Sequence, residues 1–290
     1  MKKTILATAL CLLAGYVAAS PDDGLAAMQK YYKFNPSVIE ARAEPTLFKG
    51  LYGIPLRAGG YTRFFNESAT MVFNDADGNK WEKLQAFKKV NDPDNLVPKA
   101  SYPDLYKNLV QSIDLAQAPI VATFGKPGPV YVLVTAHDCP FARKLVENLK
   151  RVESKLNLTL AIFPTSLRSE TRPMAKALAC SRSARAWYDT MLGRPVQLKT
   201  PSADCVYDPN KVADMREILS ATKGIDKTGT PYIIMPDGVI ATGPTATQSD
   251  AEIINFFTFN PQRSPMIGVG MIDSINDGRP NLLTGAAPWK

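Results

Sequence analysis

Past residue 20 this chain has no long hydrophobic run. No stretch approaches the roughly 18 uninterrupted apolar residues of a membrane-crossing helix, so the processed protein is expected to be soluble. Histidine is nearly absent, with one in 290 residues, so any cysteine–histidine pairing has only His137 to use. Charge of one sign never gathers. The formal charge of +7 is mild and scattered, which argues against nucleic-acid binding. Internal repeats and low-complexity tracts are missing. With 45% hydrophobic and 21% charged residues, the chain is not a bulk-disordered one and can bury a core. Cysteine is scarce as well: there are four, of which Cys11 lies in the leader.

The leader is the one apolar run. Met1-Lys2-Lys3 is a basic start, residues 5–18 are almost wholly apolar, and Val17-Ala18-Ala19 supplies small residues for cleavage. These are the three parts of a secretory signal peptide, expected over residues 1–19, and they imply export. Cys11 follows Leu10, where a lipidation signal would want a small residue. Cys139, Cys180 and Cys205 remain after cleavage. An oxidising compartment lets two of them pair, and the odd count leaves one thiol over as a candidate reactive group.

Residues 21–34 suit a short helix with Leu25, Met28 and Tyr32 on one side. From 46 to 87, short apolar stretches alternate with Gly, Asn and Asp, which predicts a small antiparallel sheet. Residues 74–79 read as a hairpin turn within it. Their acid spacing resembles a calcium loop, but the bidentate Glu such a loop needs is lacking. Residues 91–103 are polar, hold three prolines, and suit a connection. Leu105, Leu109, Val110 and Ile113 predict a linker helix over 104–118, and the chain breaks again at 125–129.

Beyond the break the pattern turns α/β. Residues 130–135 are a continuous apolar run, as expected of a strand covered on both faces. Phe141, Leu145, Leu149 and Val152 share one helical face. A second buried strand is expected over 158–163, a helix over 172–191 anchored by Trp187, and another over 211–222 closed by Gly224. Residues 232–235 and 239–241 predict a hairpin. Ser249-Asp250-Ala251-Glu252 is a capping box opening a last helix to about 257. Residues 261–290, rich in proline and glycine, read as a loosely ordered tail. The expected organisation is a signal peptide (1–19), a small α+β domain (20–100), a linker helix (101–125), an α/β thiol domain (126–260) and the tail (261–290).

The strand over 130–135 runs into Ala136-His137-Asp138-Cys139-Pro140, and a helix follows at once. Cys139 is thus expected at a helix N-terminus, where unpaired N–H groups and the positive end of the helix favour a thiolate. Pro140 suits the first turn, since its missing N–H costs nothing there. Arg143 adds positive charge one turn on, Asp138 opposes it, and His137 is a possible modulator. A second signal is Thr228-Gly229-Thr230-Pro231-Tyr232, which places a proline at a strand start where it can hold a cis bond.

Cys139-Pro140-Phe141-Ala142 and Gly229-Thr230-Pro231, set in this order of elements, resemble the active site and cis-proline loop of a thioredoxin fold. Residues 130–257 are similar to the catalytic domain of the periplasmic disulfide isomerases DsbC and DsbG. The layout of the first half resembles that family's dimerisation domain. The resemblance implies an exported periplasmic protein that exchanges disulfides in client proteins, with Cys139 as nucleophile and Thr230-Pro231 positioning the client backbone. It further implies a structural disulfide between Cys180 and Cys205, a homodimer, and a membrane thiol reductant as redox partner. No metal or dissociable cofactor is expected. The departure is Ala142, which stands where the family has its second cysteine. Oxidase chemistry through a Cys-x-x-Cys disulfide is thereby excluded, whereas isomerisation through a single thiolate is not. A client-holding chaperone on the same fold is the alternative expectation.

Overall fold

A computed structural model describes residues 35–66, 72–75, 84–89, 92–96, 109–223, 229–243 and 248–258, with isolated helical positions between 22 and 29. The signal peptide, most of the turn over 74–79, Gly224 and the tail lie outside the described residues.

Two sheets organise the chain. The first is an antiparallel meander of β1 (Glu44–Pro45), β2 (Leu51–Pro55), β3 (Tyr61–Asn66), β4 (Val72–Asp75), β5 (Leu84–Lys89) and β6 (Asp92–Leu96), in that order. β6 falls where a connection was expected. Its backbone pairs with β5, Lys88 opposite Leu96, and as the last strand it tolerates Pro93 because an edge needs no second row of donors.

The second sheet comprises β7 (Ile120–Ala136), β8 (Asn157–Thr165), β9 (Tyr232–Ile234) and β10 (Ile240–Thr242), in the order β10-β9-β7-β8. β7 folds back on itself at residues 125–129. Its later arm runs alongside β8, Val130 facing Thr159 and Ala136 facing Thr165, whereas in the first arm Ile120 faces Ile162 and Gly125 faces Asn157, in reverse order. Gly125 takes φ +71°, and a Cβ there would sit 2.1 Å from the Leu156 carbonyl oxygen, so the bend requires glycine.

The linker helix expected over 104–118 ends early. Residues 109–111 are helical, but Asp114 accepts a hydrogen bond from the Ala116 N–H and starts a separate 3-10 turn at Leu115–Gln117. The chain is extended from Ile120, inside the expected 101–125 linker.

Among the described residues five α-helices follow: α1 (Pro140–Val152), α2 (Arg172–Ser181), α3 (Ala184–Met191), α4 (Pro209–Lys223) and α5 (Asp250–Phe256). The single helix expected over 172–191 is two. Arg182 adopts φ 51° and ends α2, and the Ser183 hydroxyl accepts from the Ala186 N–H to start α3. The capping box of α5 is formed in both directions. Alternation along β7 sorts the helices onto two faces. Tyr131 and Leu133 pack in one cluster with Leu145 and Leu149 of α1, Trp187 of α3 and Ile253 of α5. Val130, Val132 and Val134 pack in the other with Met215 and Ile218 of α4, with Tyr61 and Phe64 of the first sheet and with Phe48 of its β1–β2 connection. Burying β7 on both faces explains its unbroken apolar run.

Candidate functional site

The site forms where the C-terminal end of β7 meets the N-terminus of α1. Cys139 is the residue capping α1, with Pro140 at the first helical position, and no side chain caps the free N–H groups. Its thiol is unbonded to another cysteine and only 2% exposed. The Sγ donates a hydrogen bond to the Thr230 carbonyl oxygen at 3.1 Å. The Thr230–Pro231 peptide is cis, and both residues are buried. Two segments that are 91 positions apart in the chain thus meet at one sulfur atom. The thiol's partner is a backbone carbonyl, which accepts from S–H. The Thr230 hydroxyl is buried without a hydrogen-bond partner among the described residues.

Ala142 lies on the first turn of α1, three positions from Cys139, fully buried in the same apolar cluster. Residues three apart share a helix face, so the position where a resolving thiol would stand is filled by a methyl group.

His137 is buried, and its Nδ1 has no hydrogen-bond partner. Burial pushes the imidazole below its ordinary value; Arg143 and Arg168 act in the same direction, while Asp138 and the Thr165 backbone oppose them. The imidazole is therefore held neutral. Arg143 is exposed, and its Nε donates to the His137 carbonyl oxygen at 2.8 Å, tying the first turn of α1 to the loop before it.

The Asp138 side chain reaches the segment joining β8 to α2. Its carboxylate accepts from the Leu167 N–H at 3.0 Å, the Arg168 N–H at 3.3 Å and the Thr171 hydroxyl at 2.5 Å. Burial works to raise this carboxyl, but the bonds from Thr171 and Leu167 outweigh it and hold the group below its ordinary value. Leu167, Arg168 and Thr171 escaped the sequence reading because nothing local in their segment signals a carboxylate arriving from the cysteine loop.

Large apolar side chains are exposed on the segments that make or adjoin the site. Phe141 is 64% exposed, Leu167 53% and Met174 42%, and these belong to the cysteine turn, the segment held by Asp138, and the first turn of α2. Cys180 and Cys205 form a disulfide that joins the end of α2 to the loop before α4. Among the described residues no cluster of His, Cys, Asp or Glu could hold a metal ion.

This strand order, helices on both faces of the sheet, and a cysteine at a helix N-terminus against a cis-proline loop define a thioredoxin-like fold within an α+β chain. No family model matches the chain, and no curated protein matches it. Solved structures do. A disulfide interchange protein from Neisseria gonorrhoeae is 23% identical, with 48% of this chain and 94% of that one covered and a TM-score of 0.34. The catalytic domain of Proteus mirabilis ScsC is 13% identical, with 47% and 87% covered and a TM-score of 0.33. A periplasmic thioredoxin-like protein from Salmonella enterica serovar Typhimurium is 17% identical, with 48% and 90% covered and a TM-score of 0.29.

Proposed function

We propose that this chain is an exported, periplasmic thiol:disulfide interchange protein of the DsbC/DsbG type that works with one nucleophile. The observation that supports it is the free Cys139 thiol at the start of α1, hydrogen-bonded to the backbone of the cis-proline loop while the other two cysteines are bonded to each other.

Cys139 Sγ loses its proton to solvent and attacks one sulfur of a client disulfide. The client S–S bond breaks, a mixed disulfide forms, and the second client sulfur leaves as a thiolate that takes up a proton. With Ala142 in place of a resolving thiol, release comes when a client thiolate attacks the client sulfur of the mixed disulfide and expels Cys139. The client ends with a rearranged disulfide and no net oxidation. Thr230 and Pro231 position the client backbone, and the exposed Phe141, Leu167 and Met174 accept its apolar side chains. Clients are exported proteins with disulfides; a membrane thiol reductant and a second copy of the chain are the further partners in this reading. The burial of Cys139, together with the exposed Phe141, Leu167 and Met174, favours a second reading, a chaperone that holds clients without exchange.

Reactivation of a scrambled disulfide protein, measured with the native chain and with Cys139→Ser, separates the two. Exchange that disappears with the thiol supports the first. Equal, thiol-independent suppression of aggregation without reshuffling supports the second.

A further inference from the structure

Between the loop at residues 55–59, the start of α2 and the start of α4 lies a groove of about 520 Å³. Five cationic residues line it: Arg42, Arg57, Arg172, Lys176 and Lys211. Arg42 and Lys211 are matched, the first by Glu40 and Glu44 and the second by Glu44. The other three have no carboxylate in ion-pair range among the described residues. Arg57 donates its Nε to the Pro36 carbonyl, and Arg172 and Lys176 stand one turn apart on α2. The acids of the groove are committed, Glu40 to Arg42 and Asp208 to the N–H groups of Gly60 and Asn210. On α1, by contrast, Lys144 is paired with Glu147, Lys150 with Glu153 and Arg151 with Asp250 of α5, while Arg143 donates to a backbone carbonyl.

The groove adjoins the thiol site through one segment. Ser169 and Arg172 line it, and they border the stretch that Asp138, next to Cys139, holds by Leu167, Arg168 and Thr171. A polypeptide bonded to Cys139 and lying along Leu167 and Met174 is led toward the three unmatched cations. The volume falls in the range of roughly 300–1,000 Å³ that holds ligands much larger than a simple anion. The cations come from two separate elements, so engaging all of them takes more than one carboxylate.

We propose that this groove binds an acidic stretch of the client, so that polypeptides with Asp or Glu near the attacked cysteine are preferred. The proposal rests on the thiol-exchange reading for its client but not for its binding test. Exposed charges of this kind raise encounter rates and lose strength with salt.

The test uses the mature chain carrying Cys139→Ser and two short fluorescent peptides, each with one cysteine, followed in one by glutamates and in the other by glutamines. Anisotropy at low salt is expected to show the glutamate peptide binding about tenfold more tightly, an advantage lost in Arg172→Gln/Lys176→Gln and in high salt. Arg172→Glu/Lys176→Glu, at an exposed and a half-buried position that belong to neither apolar cluster, is expected to turn the preference toward a lysine peptide. Equal binding of the two peptides, or a preference that survives both double variants, overturns the proposal. So does inorganic phosphate binding as tightly as the glutamate peptide, which would make this a simple anion site. Mixed-disulfide formation between the native chain and the glutamine peptide, supplied as an activated disulfide, is read separately. Its failure would remove the thiol-exchange reading while leaving the anisotropy result standing.

Discussion

At the scale of single residues, the site is a set of commitments made by neighbours in sequence to different parts of the fold. His137 is buried and kept neutral, Asp138 clasps the β8–α2 segment, Cys139 bonds the cis-proline loop, and Ala142 closes the cluster beneath. The sequence made Cys139 and the Thr230-Pro231 loop legible, because helix starts and strand starts have local signals. It could not show that Asp138 holds the β8–α2 segment, since its partners are about 30 positions away. Two outcomes belong here. Ala142→Cys places a second sulfur on the same face of the first turn. The added atom enters a packed site at a cost of roughly 1–3 kcal/mol at most. Mixed disulfides through Cys139, expected to be long-lived in the native chain, should then resolve quickly, as non-reducing electrophoresis after acid quenching would show; equal lifetimes would refute an intramolecular route. His137 gives the second. Its folded value lies below the ordinary 6.5, so the native state holds the proton less tightly than the unfolded chain. The stability linked to it is complete above 6.5 and is lost as pH falls through the folded value. Because the chain has one histidine, its imidazole resonance is unambiguous, and NMR titration is expected to show a midpoint below 6.5. In His137→Gln the loss of stability on the acid side of that value is expected to shrink.

At the scale of elements, local signals located the later arm of β7, α1, the β9–β10 hairpin and the capping box of α5. They failed where a single polar residue redirected the backbone, by a side-chain cap or by a left-handed conformation. Asp114 stops one helix and starts a 3-10 turn, and Arg182 in the left-handed region divides α2 from α3. Hydrophobic spacing runs on through both points, which is why it predicted longer helices than form. The first arm of β7 was hidden for the same reason, since a helix was expected to run almost to its start. The division of α2 from α3 sits beside the Cys180–Cys205 disulfide, which closes a loop of 25 positions containing all of α3. Closing such a loop stabilises by roughly 3–4 kcal/mol in the chain-entropy model. Replacing both cysteines by alanine is expected to lower the free energy of urea unfolding by about that amount. The thiol chemistry of Cys139 should be left in place. An unchanged midpoint would mean that the packing of Trp187 and Met191, both buried, already fixes this excursion.

At the scale of the whole molecule, the first sheet and the thiol unit share a core, which composition and periodicity had no means of showing. Leu47, Phe48, Tyr61 and Phe64 pack in one cluster with Val132 of β7 and with Met215 and Ile218 of α4. Polar contacts cross the same boundary. The Gly60 and Tyr61 N–H groups donate to Asp208 and Asp214 at 3.0 and 2.8 Å, and Lys211 pairs with Glu44 while lying over the Tyr61 ring. Burial pushes the Lys211 ammonium down to about 8, with Arg42 acting the same way and Glu40 and Asp214 opposing. A homodimer, the arrangement in which two thiol sites would share one client, is expected to give twice the monomer mass in light scattering of the mature protein. A clean monomer at micromolar concentration would remove it. The shared core has a sharper consequence. Separating the two sheets would expose Phe48 and Phe64, both fully buried, and would leave the Asp208 and Asp214 contacts unmade. Losing two buried aromatic side chains alone costs several kcal/mol, a large part of a domain's total stability. One half should therefore not outlast the other. Denaturant unfolding is expected to be a single transition, with the amides of Phe64 in the first sheet and Val132 in the second exchanging hydrogen at the same free energy. Asp214→Ala should lower both values together. Two transitions, or a first sheet that exchanges while Val132 stays protected, would show that the two halves fold independently in spite of the contacts between them.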